Sequence, residues 1–376
     1  MSLTCLKGEI SVLGPLLSDA KSWFDRAAQS DASLIYHGDP DGVVSAALVS
    51  AFFAKRFGRP LSKTYWVGTH EFDFKGLSKW ILYANTKYIA LFDINIIANT
   101  QLLLQWRAKG IHALIYDDHD VGHVEPPDNV TYLTPSRLSL KRPVPPSLFA
   151  TILEGSLQPQ EITCASIAVI GENLREEYSD LIAAAPLPPD RLDEHVRRVV
   201  AFYLCSEHNR EDLSLRFIRE ILSAPIESLE NKNKLPTASA LDHIRYLVDS
   251  DVRTNLKDPE EWINKKHGFN FFFKEVKAKT RVVGLVASNL RDASQRGISI
   301  AYQYFNGRII VEARRQKNLP DLHLVTLLKA LTRDVPVINL GGHPTAAGAA
   351  IHTAGRGNFV ENVYQWVKGW ADENET

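Results

Sequence analysis

The sequence predicts an α/β protein whose N-terminal part is a doubly wound, mostly parallel sheet. Three observations support this: short apolar runs alternate with helical patterns, the runs are continuous rather than alternating, and several end in acidic or imidazole side chains. Continuous apolar strands are typical of parallel sheets that helices cover on both faces. We expect a smaller mixed α/β domain to follow, joined by a helical linker.

The predicted strands of the first sheet follow one another along the chain. They are 34–36, 64–67, 88–92 and 112–116. Helical patterning then dominates from 163 to about 222. Ligands of such sheets bind outside the carboxyl ends of the strands, near a change in strand order.

In the C-terminal part, the apolar pattern predicts strands at 281–287, 298–304 and 308–312 and helices at 322–331 and 359–370. Asn306-Gly307 is a strong signal for a two-residue hairpin. We therefore expect a first domain at 1–225, a linker helix region at 226–260, which includes a helix from about 238 to 250, and a second domain at 261–376.

Composition limits the class of protein. The 376 residues are 45% apolar with a formal net charge of −1, so no global basic field indicates a nucleic-acid or membrane partner. No apolar run reaches the roughly 18 residues of a membrane span. Three cysteines without a C-x-x-C pair predict neither a disulfide framework nor a zinc knuckle. With no secretory signal visible at the start, a cytoplasmic location is the expectation.

The chemistry is concentrated at the strand ends. His37, Asp39 and Asp41 occupy alternating positions on a strand-to-helix turn, which predicts a divalent metal site, although a solvated turn is the alternative. Asp93 ends the third predicted strand, where it could also be a helix cap. Residues 117–120, Asp-Asp-His-Asp, end the fourth strand, and such crowded charges favour a bound cation.

These residues resemble the DHH phosphoesterases, especially the RecJ-like members. The match covers His37-Gly38-Asp39-Pro40-Asp41-Gly42, then Asp93, then Asp118-His119-Asp120. Residues 341–348, Gly-Gly-His-Pro-Thr-Ala-Ala-Gly, are similar to the signature of the DHH-associated C-terminal domain. The motifs come in the expected order and span nearly the whole chain.

The resemblance implies a two-domain hydrolase with two divalent metal ions, Mn²⁺ above all and Mg²⁺ as the other choice, in a cleft between the domains. By position, His37 and Asp39 would bind one ion and Asp41 the other, with Asp93 bridging both. His119 would bind the second ion, and the third motif, Asp118, His119 and Asp120, would be catalytic.

Two departures from the family pattern concern the third and fourth motifs. Asp120 stands where the family has a second histidine, and His123 is a candidate replacement. The usual fourth-motif aspartate is missing near 199–208, where Glu207 is the candidate metal ligand and His208 or Asp212 are alternatives. An exposed, charged helix end is an equally open interpretation of that segment.

The second domain would bind the substrate. Gly341 and Gly342 are expected to form a loop whose backbone N–H groups approach an anion, with His343 as a further donor. Arg314 resembles the family arginine that contacts the substrate, a role that suits its bidentate donors. Residues 271–273, three phenylalanines beside lysines, are either a core strand or a nucleic-acid surface.

The leading hypothesis is a manganese-dependent phosphoesterase, exonuclease-like, acting on a nucleotide or short single-stranded nucleic acid. One alternative is a non-catalytic member that binds nucleotides or nucleic acid through a degenerate metal site. Another is a phosphoanhydride hydrolase acting on polyphosphate or pyrophosphate. No membrane partner is expected, and a homodimer is compatible with the sequence.

Overall fold

The structure is a computed structural model in which the chain forms two compact units, Met1–Ile244 and Arg245–Thr376. It describes residues 7–67, 80–81, 85–94, 96–97, 99–118, 124–135, 138, 140, 143–153, 157–205, 212–229, 234–264, 269–319 and 322–372. The predicted limits of domains and linker, 1–225, 226–260 and 261–376, stay a prediction.

The first unit contains a five-stranded sheet in which every neighbouring pair is parallel. Its strands are β1 (Ala32–His37), β2 (Lys63–Val67), β3 (Tyr88–Phe92), β4 (His112–Tyr116) and β5 (Val130–Leu133). The order is β2-β1-β3-β4-β5. The predicted doubly wound parallel sheet is therefore confirmed, although its fifth strand was not predicted.

Helices cover both faces of this sheet. The helices that begin in the first unit are α1 (Lys7–Ala27), α2 (Pro40–Phe57), α3 (Thr100–Ala108), α4 (Pro146–Ile152), α5 (Pro159–Gly171), α6 (Ser179–Ala184), α7 (Pro189–Cys205), α8 (Leu213–Ser223), α9 (Ile226–Leu229) and α10 (Pro236–Asn255). Tyr36 and its same-face neighbours pack on a large core with α2, whereas Ile35 faces a second core that includes Leu103 of α3. The alternation follows from the two-residue period of a strand.

The order in which strands are added to the sheet changes side at β1. From β1 it passes to β2 on one side, and it then crosses to β3 on the other side. Tyr36 pairs with Phe92, so the carboxyl ends of β1 and β3 lie side by side. Crevices at such switch points are the usual ligand sites of open α/β sheets.

The second unit contains a six-stranded mixed sheet. Its strands are β6 (Glu260–Asn264), β7 (Phe269–Val276), β8 (Gly297–Phe305), β9 (Arg308–Arg315), β10 (Val337–His343) and β11 (Ala346–His352). The order is β10-β11-β9-β8-β7-β6, and only β7 and β8 pair in parallel among these neighbours. The predicted mixed α/β character is confirmed.

Three α-helices begin within the described part of this unit: α11 (Val283–Asp292), α12 (Leu324–Leu331) and α13 (Arg356–Asp372). One sheet face packs on α12 and α13 through an apolar core that includes Ile300, Val311 and Phe359. The opposite face carries α11, where Ser299 Oγ donates to Ala287 O at 2.6 Å.

The strand predicted at 281–287 is wrong, because this segment begins helix α11. Its run of branched residues suggested a strand, but Val283, Val286, Ala287 and Leu290 are buried at spacings of three, four and seven. That spacing covers one face of a helix. Short apolar runs do not separate strand from helix until the next turn is included.

The Gly341-Gly342-His343 segment is not the predicted loop. It forms the end of β10, the edge strand, and pairs with β11. The turn lies instead at Pro344 and Thr345.

Two other predictions about this unit can be judged directly. Asn306 and Gly307 both have positive φ, 48° and 76°, as a type I′ hairpin requires, which confirms the turn. Phe271, Phe272 and Phe273 are at most 4% exposed, so they form a core strand and not a nucleic-acid surface.

None of the helices within the described ranges combines the length and the apolar character needed to span a bilayer.

Candidate metal centre

The turn between β1 and α2 holds its acidic residues in fixed positions. Asp39 is the N-cap of α2, and its Oδ1 accepts a hydrogen bond from the Gly42 N–H at 3.0 Å. A Cβ at Gly42 would lie 2.2 Å from the His37 carbonyl oxygen, so only glycine allows the backbone to turn this tightly. The cap leaves Asp39 Oδ2 directed at His37.

His37 connects the two neighbouring strand ends. Its Nδ1 lies 2.7 Å from Asp39 Oδ2 and 3.2 Å from Asp93 Oδ2. Burial disfavours the charged form of Asp39, but the charge of His37 and hydrogen bonds from His37 and the Gly42 N–H outweigh burial and lower the pKa of Asp39 to about 2. Asp39 is therefore an anion over the whole neutral range.

Asp93 follows β3 directly and is 8% exposed. Its φ of 61° is a left-handed conformation, and its N–H donates to Tyr116 O at 3.0 Å. It is not a helix cap, because the next described helix, α3, is capped by Asn99. Burial first, and then the charges of Asp39 and Asp41, raise the pKa of Asp93 well above its ordinary value.

A second group of carboxylates meets at the end of β4. Asp93, Asp117 and Asp118 each have an oxygen within 4.8 Å of the others, and His37, Asp39 and Asp93 form another such group. Asp93 belongs to both. Asp117 is fully buried and was not a predicted ligand. Its signal in the sequence was the pair of adjacent aspartates at a strand end.

Asp41 lies beside these groups but belongs to neither of them among the described residues. It is 1% exposed, and its Oδ1 accepts from the Ser147 N–H at 3.1 Å, in the first turn of α4. Burial and the charge of Asp118 raise its pKa well above the ordinary value, against the effect of Ser147. The predicted role of Asp41 as a ligand stays a prediction.

Glu172, the C-cap residue of α5, was not foreseen as a neighbour of the site. Partial desolvation by the surrounding atoms, and then the negative charges of Asp39 and Asp41, raise the pKa of this exposed residue above its ordinary value. No motif in the sequence marks it, because α5 reaches the strand ends only through the packing of helices.

Asp212, one of the alternatives for the missing fourth-motif aspartate, has another role. Its Oδ1 caps α8 by accepting from the Leu215 N–H at 3.0 Å, and its Oδ2 accepts from the Tyr36 hydroxyl at 2.6 Å. Tyr36 faces the core on the other side of β1 from Ile35. Both Asp212 oxygens thus have structural partners.

Several predicted site residues lie outside the described residues: His119, Asp120, His123, Glu207 and His208. For His343 the backbone position in β10 is described, but the side chain is not. Their predicted roles stay predictions.

The residues present fit divalent cations. Among the described residues the donors are carboxylate oxygens and one imidazole nitrogen, a set that suits Mn²⁺ or Mg²⁺. Two buried carboxylates, Asp41 and Asp93, have strongly raised pKa values because they are buried and because like charges are close together. Cations relieve this repulsion without protonation.

The predicted substrate residues of the second unit lie on neighbouring strands. Gly342 has a φ of 132°, and a Cβ there would lie 2.4 Å from Ala346 O, so glycine is required. Arg314 pairs across the sheet with Ala346, which pairs in turn with His343. Arg314 Nη1 donates to Glu312 Oε2 at 2.9 Å.

Comparisons with known proteins agree with this architecture. Residues 268–369 match the model of the DHHA1 domain. A structure described as a DHH domain from a family of ribosomal proteins superposes with a TM-score of 0.74 at 14% identity, covering 95% of this chain and 91% of that chain. No curated protein sequence matches.

Two RecJ structures are also similar. RecJ with Mn²⁺ from Thermus thermophilus gives a TM-score of 0.64 at 15% identity, covering 94% of this chain and 54% of that chain. Exonuclease RecJ bound to manganese gives 0.59 at 16% identity, covering 94% of each chain. At these identities the similarity establishes a shared fold.

Proposed function

We propose that this chain, a member of the DHH family with a C-terminal DHHA1 domain, is a metal-dependent phosphoesterase. One observation carries the proposal: two groups of potential ligands at the switch point of the parallel sheet share a single carboxylate, Asp93. A shared carboxylate is what a two-cation site needs to hold its ions close together.

The described ligands divide into two sets. His37, Asp39 and Asp93 would bind one cation, and Asp93, Asp117 and Asp118 would bind the other. Two bound cations supply a water of lowered pKa and neutralise charge on the phosphoryl oxygens. Manganese is the proposed metal, supported by the oxygen-rich donor set and by the RecJ structures that contain it.

The chain's own residues prepare this site. A cation bound by His37 through Nδ1, the nitrogen that faces Asp39 and Asp93, would require that nitrogen to give up its hydrogen. Asp39 stays ionised, so it can accept a cation without losing a proton. Asp41 accepts a hydrogen bond from the Ser147 N–H, and bound cations would favour its ionised form beside Asp118.

The proposed substrate is a nucleotide or a short single-stranded nucleic acid. The fold shared with an exonuclease supports this choice. The formal net charge of −1 favours short ligands, because long nucleic acids bind through many basic phosphate contacts. The cytoplasmic location and a homodimer remain part of the proposal.

A second candidate function follows from Asp120. A carboxylate where the family has a histidine would repel a substrate phosphate. This departure favours a non-catalytic member that binds nucleotides without cleaving them.

The test is hydrolysis of short oligonucleotides, cyclic dinucleotides, adenosine 3′,5′-bisphosphate and polyphosphate, with and without Mn²⁺. We expect manganese-dependent hydrolysis of at least one nucleotide substrate. The rate of this hydrolysis should be at least 100-fold lower in Asp93→Asn. Asp128→Asn, an exposed aspartate paired with Arg107, is the matched control and should retain full activity. Cleavage of polyphosphate alone would support the phosphoanhydride hypothesis instead.

Calorimetric measurement of Mn²⁺ binding separates a phosphoesterase from a non-catalytic nucleotide-binding protein. Mn²⁺ binding without turnover of any of these substrates would favour the non-catalytic function. Activity in Asp93→Asn equal to that of the parent chain would exclude the proposed site.

A further inference from the structure

Arg315, the last residue of β9, carries a buried positive charge without an acidic partner among the described residues. The residue is 5% exposed. It pairs across the sheet with Ile298, which lies in the apolar core that α12 and α13 also line, so its side chain is on the sheet face opposite α11. Burial lowers the pKa of Arg315, and no carboxylate of the described ranges opposes this effect. A buried charge of this kind is costly unless an ion of opposite sign compensates it.

The guanidinium of Arg315 has donors that the protein does not use. Its Nε donates to Pro344 O at 3.0 Å, and its Nη1 donates to Gln316 O at 3.0 Å. Its Nη2 makes no hydrogen bond to any described residue. A guanidinium has five N–H donors, and buried donors are normally satisfied by an acceptor. The two carbonyl oxygens are neutral, so they leave the charge of Arg315 uncompensated.

The N-terminus of α12 lies directly beside this guanidinium. Leu324, the first residue of the helix, donates its N–H to Pro344 O at 3.1 Å, and the same oxygen accepts from Arg315 Nε. The N-cap residue His323 provides no side-chain cap, and the first turn contains no acidic residue. The N–H groups at 325–326 belong to this first turn, where N–H groups have no partner inside the helix. The helix dipole adds partial positive charge at the same place.

Two positive features of different origin therefore meet at one point, and a solvent anion has access to it. His323 and Thr326, on the N-terminal end of α12, are exposed. Helix N-termini bind phosphate through the N–H groups of their first turn, and arginine donors match phosphate oxygens. An anion at this position would compensate the charge of Arg315 and accept from the helix at the same time.

We propose that Arg315, His323 and the first turn of α12 form a binding site for a phosphoryl anion on the sheet face opposite α11. Arg315 Nη2 and the N–H groups at 325–326 donate to the phosphoryl oxygens, and the imidazole of His323 adds a donor at the N-cap. The ligand is inorganic phosphate or a phosphate monoester, because its tetrahedral oxygens accept from several directions. The site uses no residue of the candidate metal centre and goes beyond the proposed function.

The test is a titration of the full chain with inorganic phosphate in EDTA, followed by NMR through the backbone amide resonances of residues 325 and 326. We expect both resonances to shift in a saturable way, and we expect Arg315→Gln to raise the Kd at least tenfold. The matched control is Arg333→Gln, which removes the same charge from an exposed position just after the C-terminal end of α12. This control should retain the Kd of the parent chain.

Two results would overturn the site: no saturable shift of these resonances in the parent chain, or an equal Kd in Arg315→Gln. Arg315 would then only hold the turn at Pro344. Arg315→Lys covers the case in which the glutamine variant does not fold. It keeps the charge but has fewer donors, so we expect a Kd at least threefold higher, and an unchanged Kd would again contradict the proposal.

A second variant separates anion binding from a structural role. His323→Asp places a carboxylate at the N-cap, where it accepts from the first-turn N–H groups and competes with phosphate. We expect a higher urea midpoint together with a phosphate Kd at least tenfold higher. His352→Asp, which adds the same charge at an exposed histidine at the end of β11, is the control and should keep the parent Kd. An unchanged Kd in His323→Asp would contradict the site.

Three further probes identify the source of the phosphoryl group. Adenosine 5′-monophosphate and inorganic phosphate should both shift the resonances of residues 325 and 326, whereas adenosine should not. A lower Kd for the nucleotide supports a phosphate monoester as the ligand, and a lower Kd for inorganic phosphate supports the free anion. The same shift with adenosine would contradict a phosphoryl site. Because no metal is present, absence of hydrolysis at the candidate metal centre leaves these results unaffected.

Discussion

The Tyr203 hydroxyl lies 3.2 Å from His37 Nε2, on the side of the imidazole ring away from Asp39 and Asp93. The two rings also make an edge contact, with centroids 5.5 Å apart. Nδ1 faces the ionised carboxylate of Asp39, which only accepts, so Nδ1 carries a hydrogen. When the imidazole is neutral, the Tyr203 hydroxyl donates to Nε2. Tyr203 comes from the last turn of α7, within the segment 199–208 that lacks the aspartate expected from the fourth motif of the DHH phosphoesterases.

We predict that Tyr203→Phe weakens Mn²⁺ binding about tenfold. When Nδ1 binds a cation, Nε2 carries the hydrogen, and the hydroxyl can then accept from it because it serves both roles. Titration calorimetry measures the effect. Tyr246→Phe, at a tyrosine that is 64% exposed, is the control and should bind like the parent chain.

Asp93→Asn is expected to stabilise the metal-free protein while abolishing metal binding. The raised pKa of Asp93 reflects burial and repulsion by Asp39 and Asp41, so a neutral side chain of the same shape removes this cost. Asparagine also tolerates the φ of 61°. We expect a gain of about 1 kcal/mol in the free energy of unfolding at pH 8.

The sign of the pH dependence follows from the same shift. Asp93 binds its proton more tightly in the folded state, so its stabilising contribution is complete below the unfolded pKa and is lost as pH rises through the folded value. Urea unfolding in EDTA should show the gain from Asp93→Asn at pH 8 and little of it at pH 4. An equal gain at both pH values would contradict this origin.

His195 gives an opposite pH dependence. It is 2% exposed, its Nδ1 lies 2.9 Å from Arg198 Nη1, and Arg198 makes a bidentate pair with Asp242 at 2.9 and 3.0 Å. Burial and the charge of Arg198 lower the pKa of His195 from 6.5 to about 4.

The unfolded chain therefore binds more protons at His195 between pH 6.5 and 4, so stability falls as pH decreases through this window. The full decrease in the free energy of unfolding from this histidine is at most about 3 kcal/mol. We predict that the free energy of unfolding of His195→Gln, measured with urea, changes less over this pH range than that of the parent chain. His112→Gln, at an exposed histidine, should keep the profile unchanged.

The sequence was sufficient for the features that depend on local patterns. Continuous apolar runs ending in Asp93 and Asp117 predict parallel strands with ligands at one edge, because strand burial and strand ends are both visible in the chain. Asn306-Gly307 predicts its hairpin because only such residues adopt two consecutive positive φ values at low cost. The motif at 37–42 specifies a capped turn in the same way.

Tertiary structure decided what depends on distant neighbours. Burial at a spacing of three and four made 283–292 a helix rather than a strand. Asp212 is a cap and a partner of Tyr36, whereas Glu172 and Tyr203 reach the candidate metal centre through helices whose positions no local pattern specifies. A sequence shows which donors a chain has, but distances between donors on separate elements come from packing, which sums many weak contacts across the whole core.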